Sequence, residues 1–238
     1  MLGTPKNFLF LFLFIFNNIT ANELSDDQDF RDAHNKSLKA LKEFDQAIEN
    51  NPYNFIDSNA QQMVLVLTKN AELFESDREA YENKIKEIFE PMIDFRRVSA
   101  SVMGKKYYLL ATKEQRIEFI EIFKDSLLDT YAETLAQWGD STISTELPDE
   151  DSLSKKFESF EKNIEVKQIL NTGTSEYPIS YKLRKSDNEW KIVNIIINGV
   201  NLGLTFRNQF QALAISHNEN IELTLRNWVS DAGDAGIS

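Results

Sequence analysis

Cysteine is absent from the sequence, and histidine occurs only twice, at His34 and His217. The fold therefore contains no disulfide, and no thiolate is present to bind zinc. Two histidines so far apart in the chain do not form the helical pair that zinc enzymes use. We predict no metal site and no cofactor.

Glycine is scarce as well, with eight residues in the chain. None of them belongs to the glycine-rich pattern that cradles phosphate after a strand, so nucleotide binding has no support. The segment Ser152-Leu153-Ser154-Lys155 matches the serine–lysine motif of penicillin-binding enzymes, but the companion motifs are missing and acidic residues precede it. We interpret this match as chance and predict no catalytic residue.

Positive charge is the minority charge, with 26 Lys and Arg against 38 Asp and Glu and a net charge of −12. Nucleic-acid binding depends on cationic contacts to phosphate, so we predict no nucleic-acid partner. The same repulsion disfavours adsorption to anionic lipid head groups, and we predict no stable membrane insertion. If the protein handles lipid, it should enclose the lipid.

Long apolar runs are limited to residues 8–16, which follow Lys6 and precede a polar stretch ending at Ala21. As a helix this run measures about 14 Å, too short for a hydrocarbon core about 30 Å thick. The order of basic residue, apolar run and small residue is typical of a signal peptide. We predict that residues 1–21 are a signal peptide and that the protein is exported to the periplasm.

Residues 22–50 are predicted to form an amphipathic helical arm. Apolar side chains recur there at three- and four-residue spacing amid charge, at Leu38, Leu41, Phe44 and Ile48. A helix packed on the domain is the favoured interpretation, and a partner-docking element is the alternative.

Helical spacing continues between Pro52 and Gly139. The first stripe of apolar residues comprises Ile56, Ala60, Met63, Val64, Leu67, Ala71 and Phe74. We predict capping boxes at 76–79 and 112–115, because serine or threonine stands three residues before glutamate or glutamine. Gly104 and Gly139 are predicted helix ends.

From Ser141 onward the apolar pattern has a period of two, which is typical of strands. We predict strands at 141–147, 162–172, 177–184 and 189–198. Two helices should follow at 204–215 and 218–229, the second with a capping box at 216–219. This order predicts an α+β fold in which helices pack on a curved, mainly antiparallel sheet. We assign residues 51–230 to one domain and residues 231–238 to a flexible tail.

The last long strand is apolar on both faces. Strict alternation places Trp190, Ile192 and Ile196 on one side, and the other side carries Val193, Ile195 and Ile197. A strand whose two faces are both covered by other parts of the protein is either a central core strand or the wall of a ligand cavity. The residues alone favour the core strand.

Several short motifs in this chain, taken together and in order, resemble those of the MlaC, or toluene-tolerance, family of phospholipid-binding proteins. The motifs are Asn51-Pro52-Tyr53, Val102-Met103-Gly104-Lys105-Lys106-Tyr107-Tyr108, Ala111-Thr112-Lys113-Glu114-Gln115-Arg116, Trp190-Lys191-Ile192, Gly199-Val200 and Phe206-Arg207-Asn208-Gln209-Phe210. Asn201 departs from the family pattern, which usually has serine after glycine-valine.

The resemblance implies a deep apolar pocket between sheet and helices that holds acyl chains, with the head group near the mouth. Candidate pocket residues on the strands are Val166, Tyr177, Ile179, Tyr181, Leu183, Trp190, Ile192 and Val200. Candidates on the helices are Val98, Met103, Phe123, Leu127, Phe206 and Phe210.

The resemblance also implies a function and partners. The expected protein is a periplasmic carrier that shuttles phospholipid between an outer-membrane lipoprotein–porin complex and an inner-membrane ABC transporter with an Mla domain, maintaining outer-membrane lipid asymmetry. One alternative is a small periplasmic hydrolase or isomerase that uses a carboxylate or His217 in the same cavity. Another is a chaperone-like adaptor whose apolar groove receives a protein helix.

Overall fold

The computed structural model describes residues 31–32, 34–39, 51–136, 141–148, 163–187 and 189–229. The chain divides into two units, Met1–Ile48 and Glu49–Ser238. In the first unit the described residues are helical, within the predicted arm. The predicted signal peptide, the 231–238 tail and the Ser152–Lys155 motif lie outside the described residues.

The first half of the second unit is helical. Its elements are α1 (Pro52–Lys69), α2 (Ala71–Ser76), α3 (Arg78–Phe89), a 3-10 turn (Glu90–Met92), α4 (Phe95–Leu110) and α5 (Lys113–Ala136). Helix α1 begins with a proline whose missing N–H needs no partner, and the Asn51 side chain caps it by accepting from the Tyr53 N–H at 2.9 Å.

Of the two capping boxes predicted in this half of the unit, one is confirmed and one is wrong. The Thr112 N–H donates to Gln115 Oε1 at 3.0 Å, and the Gln115 N–H donates to Thr112 Oγ1 at 3.2 Å. At 76–79, however, the cap is Asp77, whose carboxylate accepts from the Ala80 N–H at 3.0 Å. Ser76 instead ends α2 and donates to the Glu72 carbonyl, because the aspartate beside it supplies the stronger acceptor.

The second half contains the sheet. Its strands are β1 (Thr142–Thr145), β2 (Asn163–Asn171), β3 (Glu176–Ser186), β4 (Glu189–Ile197) and β5 (Val200–Asn201), each antiparallel to its neighbour in that order. On β2 and β3 buried residues such as Val166 and Leu183 alternate with exposed ones such as Lys167 and Lys182. The helices therefore cover one face, and the predicted α+β fold is confirmed.

A β-bulge overturns the predicted face assignment of β4. Leu183 pairs with Ile192 and Lys182 pairs with Asn194, which leaves Val193 as an extra residue. An extra residue reverses the alternation beyond it. Ile195 and Ile197, opposite Tyr181 and Ile179, therefore join Ile192 on the helix-covered face.

Two helices close the described chain, α6 (Leu202–Ser216) and α7 (Ile221–Arg226). The predicted capping box at 216–219 is wrong, because His217 is the C-cap of α6. Asn220 caps α7 instead, accepting from the Leu223 N–H at 3.1 Å. Asn218 and Glu219 have φ angles of 52° and 61°, so the chain reverses between the two helices and does not continue a helix there.

Gly104 ends the first of two helical stretches within α4, as predicted. Its φ of 68° and ψ of 164° are non-helical, and helix resumes from Lys105 to Leu110, which the sequence prediction missed. These angles belong to a region that only glycine adopts readily. A Cβ atom placed on residue 104 would lie 3.5 Å from Gln211 Nε2 of α6, which is an ordinary contact distance. Backbone strain, and not a steric clash, therefore decides the effect of a substitution.

Replacing Gly104 with alanine is expected to lower the free energy of unfolding by about 1–3 kcal/mol, because alanine would be forced into that strained conformation. Urea denaturation measures the loss. The neighbouring exposed Lys105→Ala variant should stay within about 0.5 kcal/mol of the parent. Equal stability of the two variants would contradict the strain.

Candidate functional site

An apolar cavity of about 140 Å³, partly open to the surface, lies between the sheet and the helices. The helices, and the turn after α3, contribute Ile56, Asn59, Ala60, Met63, Val64, Leu67, Ile88, Phe89, Met92, Ile93, Val98, Phe123, Leu127, Leu128, Leu202, Gly203 and Phe206. The strands and their flanks contribute Ser141, Ile143, Gln168, Leu170, Ile179, Tyr181, Ile192, Asn194, Ile195 and Ile197. Such a lining suits a hydrocarbon ligand.

The helical wall of the cavity joins two apolar clusters. The first turns of α1 place Tyr53 and Ile56 in the main core, which also holds the buried residues of the sheet. Farther along the helix, Met63 and Leu67 pack with α3 in a smaller cluster. The cavity is lined by residues of both clusters, so it lies where the two meet.

Half of the predicted pocket residues line this cavity. They are Val98, Phe123, Leu127, Ile179, Tyr181, Ile192 and Phe206. The other seven pack in the core away from it: Met103, Val166, Leu183, Trp190 and Phe210 are buried, and Tyr177 and Val200 are partly buried against them. Strand alternation selects the covered face, but which part of that face borders the cavity depends on how the helices are placed over it.

Sequence reasoning missed the contribution of α1. The sequence predicts one apolar stripe on this helix but does not assign it to the pocket. Five residues of the stripe line the cavity: Ile56, Ala60, Met63, Val64 and Leu67. The signal that could have predicted this contribution was the alanine in the stripe. A small side chain facing a sheet leaves room that a large one would fill.

Gln168 is a polar residue on the covered face of β2, and it is fully buried. Its Nε2 donates to Thr145 Oγ1 at 2.9 Å, and the Thr145 hydroxyl donates to Asp57 Oδ1 at 2.6 Å. A hydroxyl carries one hydrogen, which Thr145 donates to Asp57, so the threonine oxygen accepts from the Gln168 amide. The chain of bonds thus fixes the amide orientation, and Gln168 Oε1 is left buried without a hydrogen-bond partner.

Tyr181 lies diagonally across from Gln168. In the register, Val166 pairs with Tyr181 and Gln168 pairs with Ile179, so both side chains occupy the covered face of adjacent strands. Burial raises the pKa of the Tyr181 phenol, which therefore remains a protonated donor at physiological pH. Both residues border the cavity, and Gln168 Oε1 itself is enclosed by protein atoms.

None of the described lining residues is Asp, Glu or His. His217 is the C-cap of α6 and is not among them. Within the described ranges, no group of three or more His, Asp or Glu is arranged to hold a metal ion. Nor is any described helix long and apolar enough to cross a bilayer.

Comparison with known proteins identifies relatives over most of the chain. The family model for the MlaC protein matches residues 57–229. The toluene tolerance protein ttg2D of Pseudomonas putida is 28% identical over 184 residues, covering 77% of this chain and 82% of that protein. The intermembrane phospholipid transport system binding protein MlaC of Haemophilus influenzae is 22% identical over 191 residues, covering 79% of this chain and 78% of that protein.

A solved structure shares the fold. The phospholipid-binding protein from Ralstonia solanacearum, determined in complex with a phospholipid, superposes with a TM-score of 0.62 at 21% identity, covering 74% of this chain and 93% of that one. The family model accounts for most of the chain, including both walls of the cavity. The chain belongs to the MlaC family.

Proposed function

We propose that this protein carries a phospholipid with its acyl chains in the apolar cavity between helices and sheet. The observation that carries the proposal is the lining itself, which is almost wholly apolar and includes no Asp, Glu, His, Lys or Arg among the described residues. Two relatives support it, because one is named as a phospholipid transport binding protein and another was solved with a phospholipid. Neither is named as an enzyme.

The energetics favour a carrier. Two acyl chains of roughly thirty methylenes in total gain on the order of 20 kcal/mol when they leave water, at about 0.8 kcal/mol per methylene. Spontaneous loss of the lipid into water is therefore negligible. A bilayer is equally dry, so the hydrophobic terms nearly cancel when the lipid moves between protein and membrane. Differences of a few kcal/mol, supplied by docked partners, then set the direction.

Loading requires the cavity walls to separate. The volume of about 140 Å³ is close to that of an engineered cavity that admits benzene, and a two-chain lipid is larger. Residues of the main core form both walls, so admitting a lipid displaces part of that core.

The location and partners are part of the same proposal. We assign the protein to the periplasm, where it shuttles phospholipid between an outer-membrane lipoprotein–porin complex and an inner-membrane ABC transporter with an Mla domain, and so maintains outer-membrane lipid asymmetry. The apolar run at 8–16 supports export, and the family supports the partners. The net charge of −12 favours delivery through proteins over adsorption to anionic membranes.

Transfer of fluorescent phospholipid between vesicles tests the carrier. Vesicles reconstituted with the inner-membrane transporter should gain lipid from the loaded protein, and vesicles without it should gain much less. A protein that carries no lipid to either, although it is folded, would overturn the proposal. Equal transfer to both vesicle types would agree with a lipid carrier but would refute the transporter as its partner.

A further inference from the structure

Tyr181 lies on the covered face of β3, with β2 on one side and β4 on the other. In the register it pairs with Val166 of β2, which is fully buried, and with Ile195 of β4. The tyrosine is 9% exposed and lines the cavity. Because strands flank it on both sides, the sheet fixes the position of its ring, and its exposed part faces the cavity.

The Tyr181 hydroxyl has no hydrogen-bond partner among the described residues and, unlike the glutamine oxygen described above, is not sealed by protein atoms. Other polar groups of the lining do have protein partners. Asn59 Nδ2 donates to the Phe55 carbonyl at 2.7 Å, and Asn194 Nδ2 donates to Asn201 Oδ1 at 3.0 Å. A phenylalanine would make the same apolar contacts without leaving a buried donor unpaired, which costs free energy.

An unpaired phenol in an apolar cavity requires an acceptor from the ligand. A phospholipid offers two kinds of acceptor, the phosphate oxygens and the ester carbonyls. The phosphate is ionised, and no Lys, Arg or His is present among the described lining residues to pair with it, so burying it there would be costly. An ester carbonyl is neutral and is joined directly to the acyl chain that the cavity holds.

We propose that Tyr181 donates a hydrogen bond to an ester carbonyl of the bound phospholipid, so that the cavity selects ester-linked chains over ether-linked chains. This inference rests on the proposed carrier function and names the linkage class of its cargo. It also places the ester end of at least one acyl chain inside the protein, beside β3. An ether-linked chain is similarly apolar, but it has no carbonyl and leaves the phenol without that acceptor.

Competition between two matched lipids tests the inference. The purified protein is incubated with equal amounts of a diacyl phosphatidylethanolamine and of the dialkyl ether lipid that has the same head group and chain lengths. Native mass spectrometry counts each lipid bound. We expect the ratio of ester to ether lipid to be about fivefold higher in the parent than in Tyr181→Phe, the equivalent of one net hydrogen bond. Comparing the two proteins cancels any preference that arises from the lipids themselves.

The matched control is Tyr177→Phe. Tyr177 lies on the same strand and packs against the core, but it does not line the cavity, so this variant should keep the parent ratio. Both variants retain the ring, and the total lipid bound should be unchanged. A parent ratio in Tyr181→Phe, or an equal fall in Tyr177→Phe, would overturn the inference while leaving the carrier intact. Binding of neither lipid by the folded parent would refute the proposed function.

Discussion

Replacing Ala60 with tryptophan is expected to reduce the phospholipid retained by the purified protein at least about tenfold. Ala60 is partly buried on α1 and lines the cavity. An indole ring at this position competes with acyl chains for a space of about 140 Å³. Steric overlap of this kind typically costs 1–3 kcal/mol, and 1.4 kcal/mol corresponds to a factor of ten in affinity. Organic phosphate per mole of protein measures the retained lipid.

The matched control for this substitution is Gln62→Trp. Gln62 is exposed on the same helix and does not line the cavity, so the same side chain is added outside it. We expect parent-like lipid content in the control, and helical circular dichroism should be unchanged in both variants. If Ala60→Trp retained as much lipid as Gln62→Trp, the lipid would have to be held elsewhere.

The largest expected effect on stability comes from Phe119→Ala in α5. Phe119 is fully buried, and its ring centroid lies 4.9 Å from that of Phe210, 5.5 Å from that of Trp228 and 5.8 Å from that of Phe123. Truncation of such a side chain leaves a cavity and removes edge-to-face contacts with Phe210 and Trp228 and a tilted contact with Phe123. We expect the free energy of unfolding to fall by about 3–5 kcal/mol, measured by urea denaturation.

The control lies two residues earlier on the same helix. Ile117 is 53% exposed, so Ile117→Ala should change stability by about 0.5 kcal/mol or less. Because Phe119 does not line the cavity, the folded fraction of Phe119→Ala should still retain lipid. A loss below about 1 kcal/mol for Phe119→Ala would show that the aromatic cluster does not hold α5, α6 and the C-terminal segment together.

Local patterns predict much of the fold, because they depend on residues close together in sequence. The capping pair Thr112 and Gln115 forms as its spacing requires, and the alternation along β3 gives the correct covered face. Failures occur where two local signals compete. Ser76 stands beside Asp77, and the carboxylate caps the helix.

The β4 bulge and the cavity depend on information that is not local. Ile192 before Val193 and the three isoleucines at 195–197 after it fit either alternation, so only pairing with β3 reveals the extra residue. Leu183 and Ile192 pair on the same face, yet only Ile192 borders the cavity. Which of the two borders the cavity depends on how the helices lie over the sheet, and no strand pattern encodes that placement.

Gln168 was absent from the predicted site for a different reason. A polar side chain between Val166 and Leu170 on an inward strand position signals either a hydrogen-bonded core residue or a ligand contact. The structure shows that one end of the amide is satisfied and the other is not. Only the three-dimensional partners Thr145 and Asp57, from β1 and α1, make that distinction.

The central claim is that the apolar cavity holds a phospholipid, and the lipid content of the protein tests it most directly. The protein is purified without detergent, extracted with organic solvent and analysed by lipid mass spectrometry. We predict phospholipid in stoichiometric amount in the parent protein and in Gln62→Trp, and a deficit in Ala60→Trp. Folded parent protein that contains no phospholipid would contradict the account.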